Sequence, residues 1–208
     1  RVLDLLHEGS IDPLGLIAWS SNATFLVEVA ARGSMPTRAG AHPVDGGANP
    51  RGDDAEAAVL RAIYKPERGE RPLYDFPSGI YRREVAAYEL ARSLGWDLVP
   101  ETVLVDGPMG PGSLQRFVDV DYEDNYFTMF DEGDEAVLAQ LRRLCCFDLL
   151  ANNTDRKAGH CLIDADRHVW AIDNALAFHA EFKLRTVIWD FAGARIDAPL
   201  LDDISCLL

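Results

Sequence analysis

The sequence predicts an α+β fold, an antiparallel sheet in the first half followed by a mainly helical second half. Three observations carry this. Apolar runs of strand length recur at 16–19, 24–29, 58–64, 100–105 and 112–120, separated by polar or Gly-rich turns. Two longer stretches, 78–94 and 135–150, place apolar residues at helical spacing. A turn-rich segment, Asn152 to His160, leads into two short apolar runs, Cys161 to Ile163 and Val169 to Ile172, which enclose the turn Asp164-Ala165-Asp166-Arg167. That last pattern is a hairpin, and a hairpin sets its outer ends side by side. His160 and Asp173 should therefore meet, with Asp155 overhanging the same spot.

Leu3 to Ile11 reads as a short helix or strand leading into the sheet. Leu16-Ile17-Ala18-Trp19 and Thr24 to Val29 flank Ser20-Ser21-Asn22-Ala23. This turn either closes a plain hairpin or turns hydroxyls and backbone N–H groups toward a phosphate. Residues 32–57 are rich in Gly, Pro and Asp and can bury little apolar surface, which predicts a disordered insertion, inert or acting as a lid. The run 58–64 ends at Lys65-Pro66. The helix over 78–94 carries Ile80, Val85, Ala87, Tyr88, Leu90, Ala91 and Leu94, and Gly95 stops it. Glu84 in its first turns is the expected partner of Lys65; Glu89, on a more polar side, is the alternative. Pro100–Val105 and Gly112–Val120 read as two further strands, and Asp119, Asp121, Glu123 and Asp124 as a solvated linker. Asp134 suits the N-cap of a helix over 135–150. Val137, Leu138, Leu141, Leu144, Cys145 and Leu149 make its expected buried face.

The chain has 208 residues, enough for a single domain or two lobes around one cleft. Its net charge of −14 counts against nucleic acid and against an anionic membrane surface. No apolar run is long enough to cross a membrane as a helix. The four Cys show neither disulfide nor metal spacing, and no secretory pattern is seen, so the expected compartment is the cytoplasm. The start at Arg1 and the apolar end Cys206-Leu207-Leu208 point to a trimmed chain.

Asn153-Thr154-Asp155-Arg156 resembles the catalytic loop of the phosphatidylinositol 3-/4-kinase-like superfamily, especially type II phosphatidylinositol 4-kinases and HipA-type bacterial kinases. There a metal-binding Asn follows the Asp by five residues and a metal-binding Asp follows thirteen later; here those positions hold His160 and Asp173. Tyr64-Lys65-Pro66 resembles the nucleotide-lysine segment of the HipA-type kinases. The sequence departs from the pattern at His160, at Asn174 after the second Asp, and at Lys157, where many lipid kinases have His. The resemblance spans roughly residues 14–178 and implies a two-lobed protein-kinase-like fold, with lobes over 1–118 and 119–208.

The resemblance also implies roles. Asp155 orients or deprotonates an acceptor hydroxyl. His160 and Asp173 hold Mg²⁺ or Mn²⁺, the imidazole favouring Mn²⁺. Lys65, held by Glu84, binds the phosphates of ATP. Ser20, Ser21 and Asn22 form a phosphate loop, and Gln115, Phe117 and Val118 form a hinge that bonds adenine. Arg156 is a structural ion-pair residue. The implied activity is phosphoryl transfer from ATP to a hydroxyl of a protein, itself included, or of a small molecule. A nucleotide-binding pseudokinase scaffold, an AMP transferase and an inositol-lipid kinase are the alternatives; the acidic balance counts against the last.

Overall fold

The computed structural model describes residues 1–18, 20, 22–32 and 59–207. Trp19, Ser21 and nearly all of the Gly/Pro-rich stretch at 32–57 lie outside the described residues. The fold is α+β, built on a five-stranded antiparallel sheet in the order β1-β2-β3-β5-β4.

Helix α1 (Val2–Glu8) leads into β1 (Ser10–Leu16), which pairs with β2 (Phe25–Ala30). The first strand thus precedes the run expected at 16–19. It is an exposed edge strand containing Pro13 and Gly15, with a register shift between them, so it lacks the alternation that marks a half-buried strand. Strand β3 (Val59–Pro66) pairs with β2 and with β5 (Gly110–Arg116), and β4 (Thr102–Gly107) flanks β5. Alternation along β3 separates two faces. Val27, Val29, Ala62, Tyr64, Val103 and Leu114 pack with Leu6 of α1 on one of them. Lys65, registered with Ser113, lies on the other, where α2 packs on β4 and β5.

Helix α2 spans Tyr81–Ser93, starting later than expected because Gly79 takes a left-handed φ of 86° that a helix cannot contain. It turns Tyr81, Glu84, Ala87, Tyr88 and Ala91 inward. Strand β5 ends at Arg116, short of the expected 120, because Val118 leaves the sheet to pack against Leu162 and Trp170.

Two helices were not expected. Helix α3 (Tyr126–Glu132) is capped by Asn125, whose side chain accepts from Phe127 N, and stops at Gly133 with φ 72°. Helix α5 is Ala198–Ser205. Between them α4 (Glu135–Leu150) is capped by Asp134, as expected. Its buried face is rotated from the one expected. Val137, Leu141, Leu144 and Asp148 form the innermost line, with Cys146 and Phe147 beside it, while Leu149 is 41% exposed. Helical spacing from Leu141 and Leu144 carries the stripe to Asp148. Strands β6 (Cys161–Ile163) and β7 (Val169–Ala171) form the hairpin, buried on the core shared by α2, α3 and α4.

Gly112 shows how closely β5 lies on β3. A Cβ there would come within 2.5 Å of Lys65 O and 2.8 Å of Pro66 Cα, whereas one at Gly159 would meet nothing within 4 Å. Gly112→Ala should destabilise by about 1–3 kcal/mol in urea unfolding, and Gly159→Ala by less than about 0.5 kcal/mol. Equal midpoints for the two variants would contradict this packing.

Candidate functional site

The site grows from one buried charge. Arg156 follows the loop after α4 and its side chain is wholly buried, 0% exposed, against Asp148 at 1%. A guanidinium in that position needs every donor directed at an acceptor. Its Nε reaches Asp148 Oδ2 at 2.9 Å and its Nη2 reaches Asp148 Oδ1 at 2.8 Å and Asn174 Oδ1 at 2.7 Å. Its Nη1 donates to Ile172 O at 2.8 Å. Burial alone would favour the neutral form, but the Asp148 carboxylate outweighs it and holds the Arg156 pKa above its ordinary value.

Asn153 completes the base. Its Nδ2 donates to Asp148 Oδ1 at 2.9 Å and its Oδ1 accepts from Asp155 N at 3.1 Å, which fixes the bend that presents Asp155. The chain beyond Asp173 is strapped back onto this loop. Thr154 N donates to Leu176 O, Arg185 N to Asn153 O and Arg156 N to Arg185 O, at 3.0, 3.0 and 3.1 Å.

Above this base the hairpin ends meet. His160 Nε2 lies 3.3 Å from Asp173 Oδ2. Asp173 Oδ1 receives Lys65 Nζ at 2.8 Å, and the same ammonium donates to Glu84 Oε1. The other oxygen of Glu84 accepts from Asn174 N at 2.9 Å. Lys65 from the sheet, Glu84 from α2 and Asp173 from the hairpin thus form one linked set. Burial disfavours the Lys65 ammonium, but Asp173 and Glu84 together raise its pKa. Lys65 in turn lowers the Asp173 pKa against the effect of burial, with His160 and Lys157 acting in the same direction. Glu89, the alternative partner, pairs with Arg92 on the exposed side of α2.

Asp155 is half-buried, and its Oδ2 takes Lys157 Nζ at 2.8 Å. His160 stands as a hydrogen-bonding group in this arrangement. Its Nδ1 accepts from Lys157 N at 3.4 Å, which leaves the proton of the neutral ring on Nε2, facing Asp173. Burial lowers its pKa, aided by Arg156 and Lys157 and opposed by Asp173 and Asp155. Among the described residues no group of three or more His, Cys, Asp or Glu is placed to hold a metal ion unaided. Asp173, 46% exposed, and His160 form a two-residue donor set. Such a set suits an ion that takes its remaining ligands from phosphates and water. Ligation through His160 Nε2 would require the other tautomer.

The remaining expected residues are spread around this cluster. Ser20 Oγ lies 2.8 Å from Thr24 Oγ1, and Asn22 Oδ1 accepts from Arg71 N at 2.9 Å, so both side chains brace the β1–β2 turn. Ser21 is outside the described residues. Gln115 is buried and donates to Thr102 Oγ1 at 2.8 Å. The Phe117 amide is taken by Arg61 O, and the Arg61 guanidinium lies 4.8 Å over the Phe117 ring. Val118 packs on the hairpin.

No family model matches the sequence. Protein Rv2133c of Mycobacterium tuberculosis is 36% identical over 235 aligned positions, covering 98% of this chain and 76% of that protein. This chain belongs to the Rv2133c family. Among solved structures, that of a Helicobacter pylori proinflammatory kinase, CtkA, matches this Rv2133c-family chain with a TM-score of 0.47 and 13% identity. The match covers 98% of this chain and 67% of that one.

Asp148, Asn153 and Asn174 are the site residues that sequence reasoning missed. Asp148 carried a readable signal, a lone acid on the inner line of an apolar helix, because such an acid must find a buried cation. Asp148→Ala leaves the Arg156 guanidinium buried without its charge partner. It should cost about 3–5 kcal/mol in urea unfolding, and Asp148→Ala with Arg156→Met should recover most of that loss. A single variant as stable as the wild type would remove the pair from the base of the site.

Proposed function

We propose that this protein is an ATP-dependent phosphotransferase with a kinase-like arrangement, its sheet lobe over 1–118 and its hairpin lobe over 119–208. The observation that carries the reading is the Lys65–Glu84–Asp173 set, which joins a strand, a helix and a hairpin end at one point. A lysine so held by two carboxylates is oriented to receive phosphates, and phosphoryl transfer is mostly positioning and charge neutralisation. Asp155, presented by Asn153, would accept a hydrogen bond from the acceptor hydroxyl once Lys157 turns toward the transferred group. Mg²⁺ or Mn²⁺ would supply charge neutralisation of the phosphates, with Asp173 and His160 as the residues that hold it. The loop signature and its spacing to Asp173 support placement in the phosphatidylinositol 3-/4-kinase-like superfamily. The acidic chain favours a protein or small-molecule acceptor over an anionic lipid.

Incubation with γ-labelled or α-labelled ATP, with Mg²⁺ or Mn²⁺, tests the reading directly. Transfer from the γ position supports a kinase, from the α position an AMP transferase, and from neither a binding module. Lys65→Ala and Glu84→Ala should each weaken ATP binding, and the double variant should lose little more than either alone, because groups acting as a unit are not additive. Additive losses in calorimetric titration would mean that the two act separately. Asp173→Ala should abolish the metal-dependent part of ATP binding, and His160→Asn should shift metal preference from Mn²⁺ toward Mg²⁺. Identical preference in His160→Asn and wild type would leave His160 as a hydrogen-bond donor to Asp173.

A further inference from the structure

Helix α2 carries Glu84, yet its own N-terminus has no side-chain cap from the residue before it, Ile80. The exposed first-turn amides of a helix must be satisfied from elsewhere. Here the acceptor comes from outside the helix. Glu70 Oε1 accepts from Tyr81 N and Glu70 Oε2 from Gly79 N, both at 2.8 Å. A carboxylate that bridges two amides across a helix start restrains both where the helix begins and how it is rotated, and it also complements the positive end of the helix.

The position of Glu70 in the chain gives this its consequence. It follows the 3-10 turn Glu67–Gly69, which begins where β3 ends, so it is five residues beyond Lys65. The same short connection holds the β1–β2 turn. Ala23 N donates to Gly69 O at 3.0 Å, and Arg71 N donates to Asn22 Oδ1 at 2.9 Å. Gly69 lies so close that an added Cβ would come within 2.5 Å of Ala23 Cβ. Residues 67–71 therefore set three elements relative to one another: the strand bearing Lys65, the helix bearing Glu84 and the turn above them. A cavity of about 160 Å³ lined by Glu67, Glu70, Phe76 and Ile80 adjoins the carboxylate, so hydrogen bonds more than packing hold it in place.

We propose that Glu70 is a positioning residue for the Lys65–Glu84 pair: by clamping the start of α2 to the end of β3, it fixes the rotation of α2 that brings Glu84 to Lys65. Glu84 lies three residues beyond Tyr81, one turn up the same buried face, so freeing the first turn releases the side chain that meets Lys65. The functional weight of this inference rests on the phosphotransferase reading, whereas its structural content does not.

Acylation of lysines by acetic anhydride in mildly alkaline buffer, read residue by residue by mass spectrometry, tests it without any activity. In the wild type the Lys65 amine is largely buried and bonded to Glu84 and Asp173, so it should react slowly. Glu70→Ala should raise its labelling rate about tenfold, the worth of roughly one hydrogen bond to a charged group. Lys183, which pairs with Asp75 in the connection that leads to α2, reports general loosening of that connection and should change much less than Lys65. Glu70→Gln, which keeps one acceptor oxygen, should fall between the two and stands in for Glu70→Ala should that variant fail to fold. Arg82→Ala, an exposed neighbour in the same turn, should label like the wild type. In ATP turnover the Glu70 variants should raise KM for ATP more than they lower kcat. Wild-type labelling of Lys65 in a folded Glu70 variant, or an equal rise at Lys183, overturns the inference. Absence of ATP turnover in the wild type would instead remove the phosphotransferase reading and leave the labelling result standing.

Discussion

A guanidinium shut away from water is the constraint from which the rest of this site follows. Removing an ion from water costs several kcal/mol, a cost offset only when geometry and hydrogen bonding are complete. Arg156 meets that demand with groups from four places: Asp148 of α4, the backbone at Ile172, the side chain of Asn174 and, at 3.5 Å, His160 O. Each acceptor is fixed because the charge requires it. The loop before Arg156, the strand end after β7 and the residue beyond Asp173 are therefore set relative to α4 by one side chain. Asp155 inherits its place from this arrangement, since Asn153 bonds both Asp148 and Asp155 N.

The same network reaches the sheet through Asn174. Its side-chain oxygen receives Arg156 and its backbone amide donates to Glu84, whose other oxygen holds Lys65. A path of hydrogen bonds thus runs from α4 to the sheet without passing through Asp173. Among the described residues the outer carboxylate pairs with Lys65 and His160, and it is 46% exposed. The division is chemically sensible. Groups that fix the frame are buried and fully paired, while Asp173, the carboxylate that would meet a phosphate chain under the proposed reading, faces the solvent.

The site was legible in the sequence wherever its residues are charged and regularly spaced from one another. Asp155, His160 and Asp173 stood out through the hairpin between them, and Lys65 with Glu84 through a strand end followed by an amphipathic helix. Asp148 showed only as an acid among the apolar residues of α4. Asn174 was not legible because its partner Glu84 is distant along the chain, and Asn153 and Glu70 because they accept from backbone amides, which leaves no pattern in the sequence. Asn153 entered only as part of the loop signature and Asn174 only as a departure from it, while nothing in the sequence singled out Glu70. The fold shows the same division. Strand β3 alternates, with Ala62, Tyr64 and Pro66 buried on one face, whereas β1, an exposed edge with Pro13 and Gly15, carries no such pattern. Helix α3 offered only its caps, Asn125 and Gly133, around seven residues too few to show a period.

Asp173 itself adopts a left-handed backbone, φ 56°. Most side chains resist that region, and Asp and Asn are among the few that enter it at modest cost. Here the conformation is imposed from both sides. Ile172 N donates to His160 O and Ile172 O accepts from Arg156, which anchors the chain before the bend. Asn174 N donates to Glu84 and its side chain accepts from Arg156, which anchors the chain after it. Between two fixed residues only one remains to reverse direction, and the reversal brings its carboxylate to Lys65 and His160. The demand for a short polar side chain that tolerates positive φ and the demand for a carboxylate between Lys65 and His160 fall on the same position. Asn satisfies the first demand and Glu the second; Asp alone of the three satisfies both.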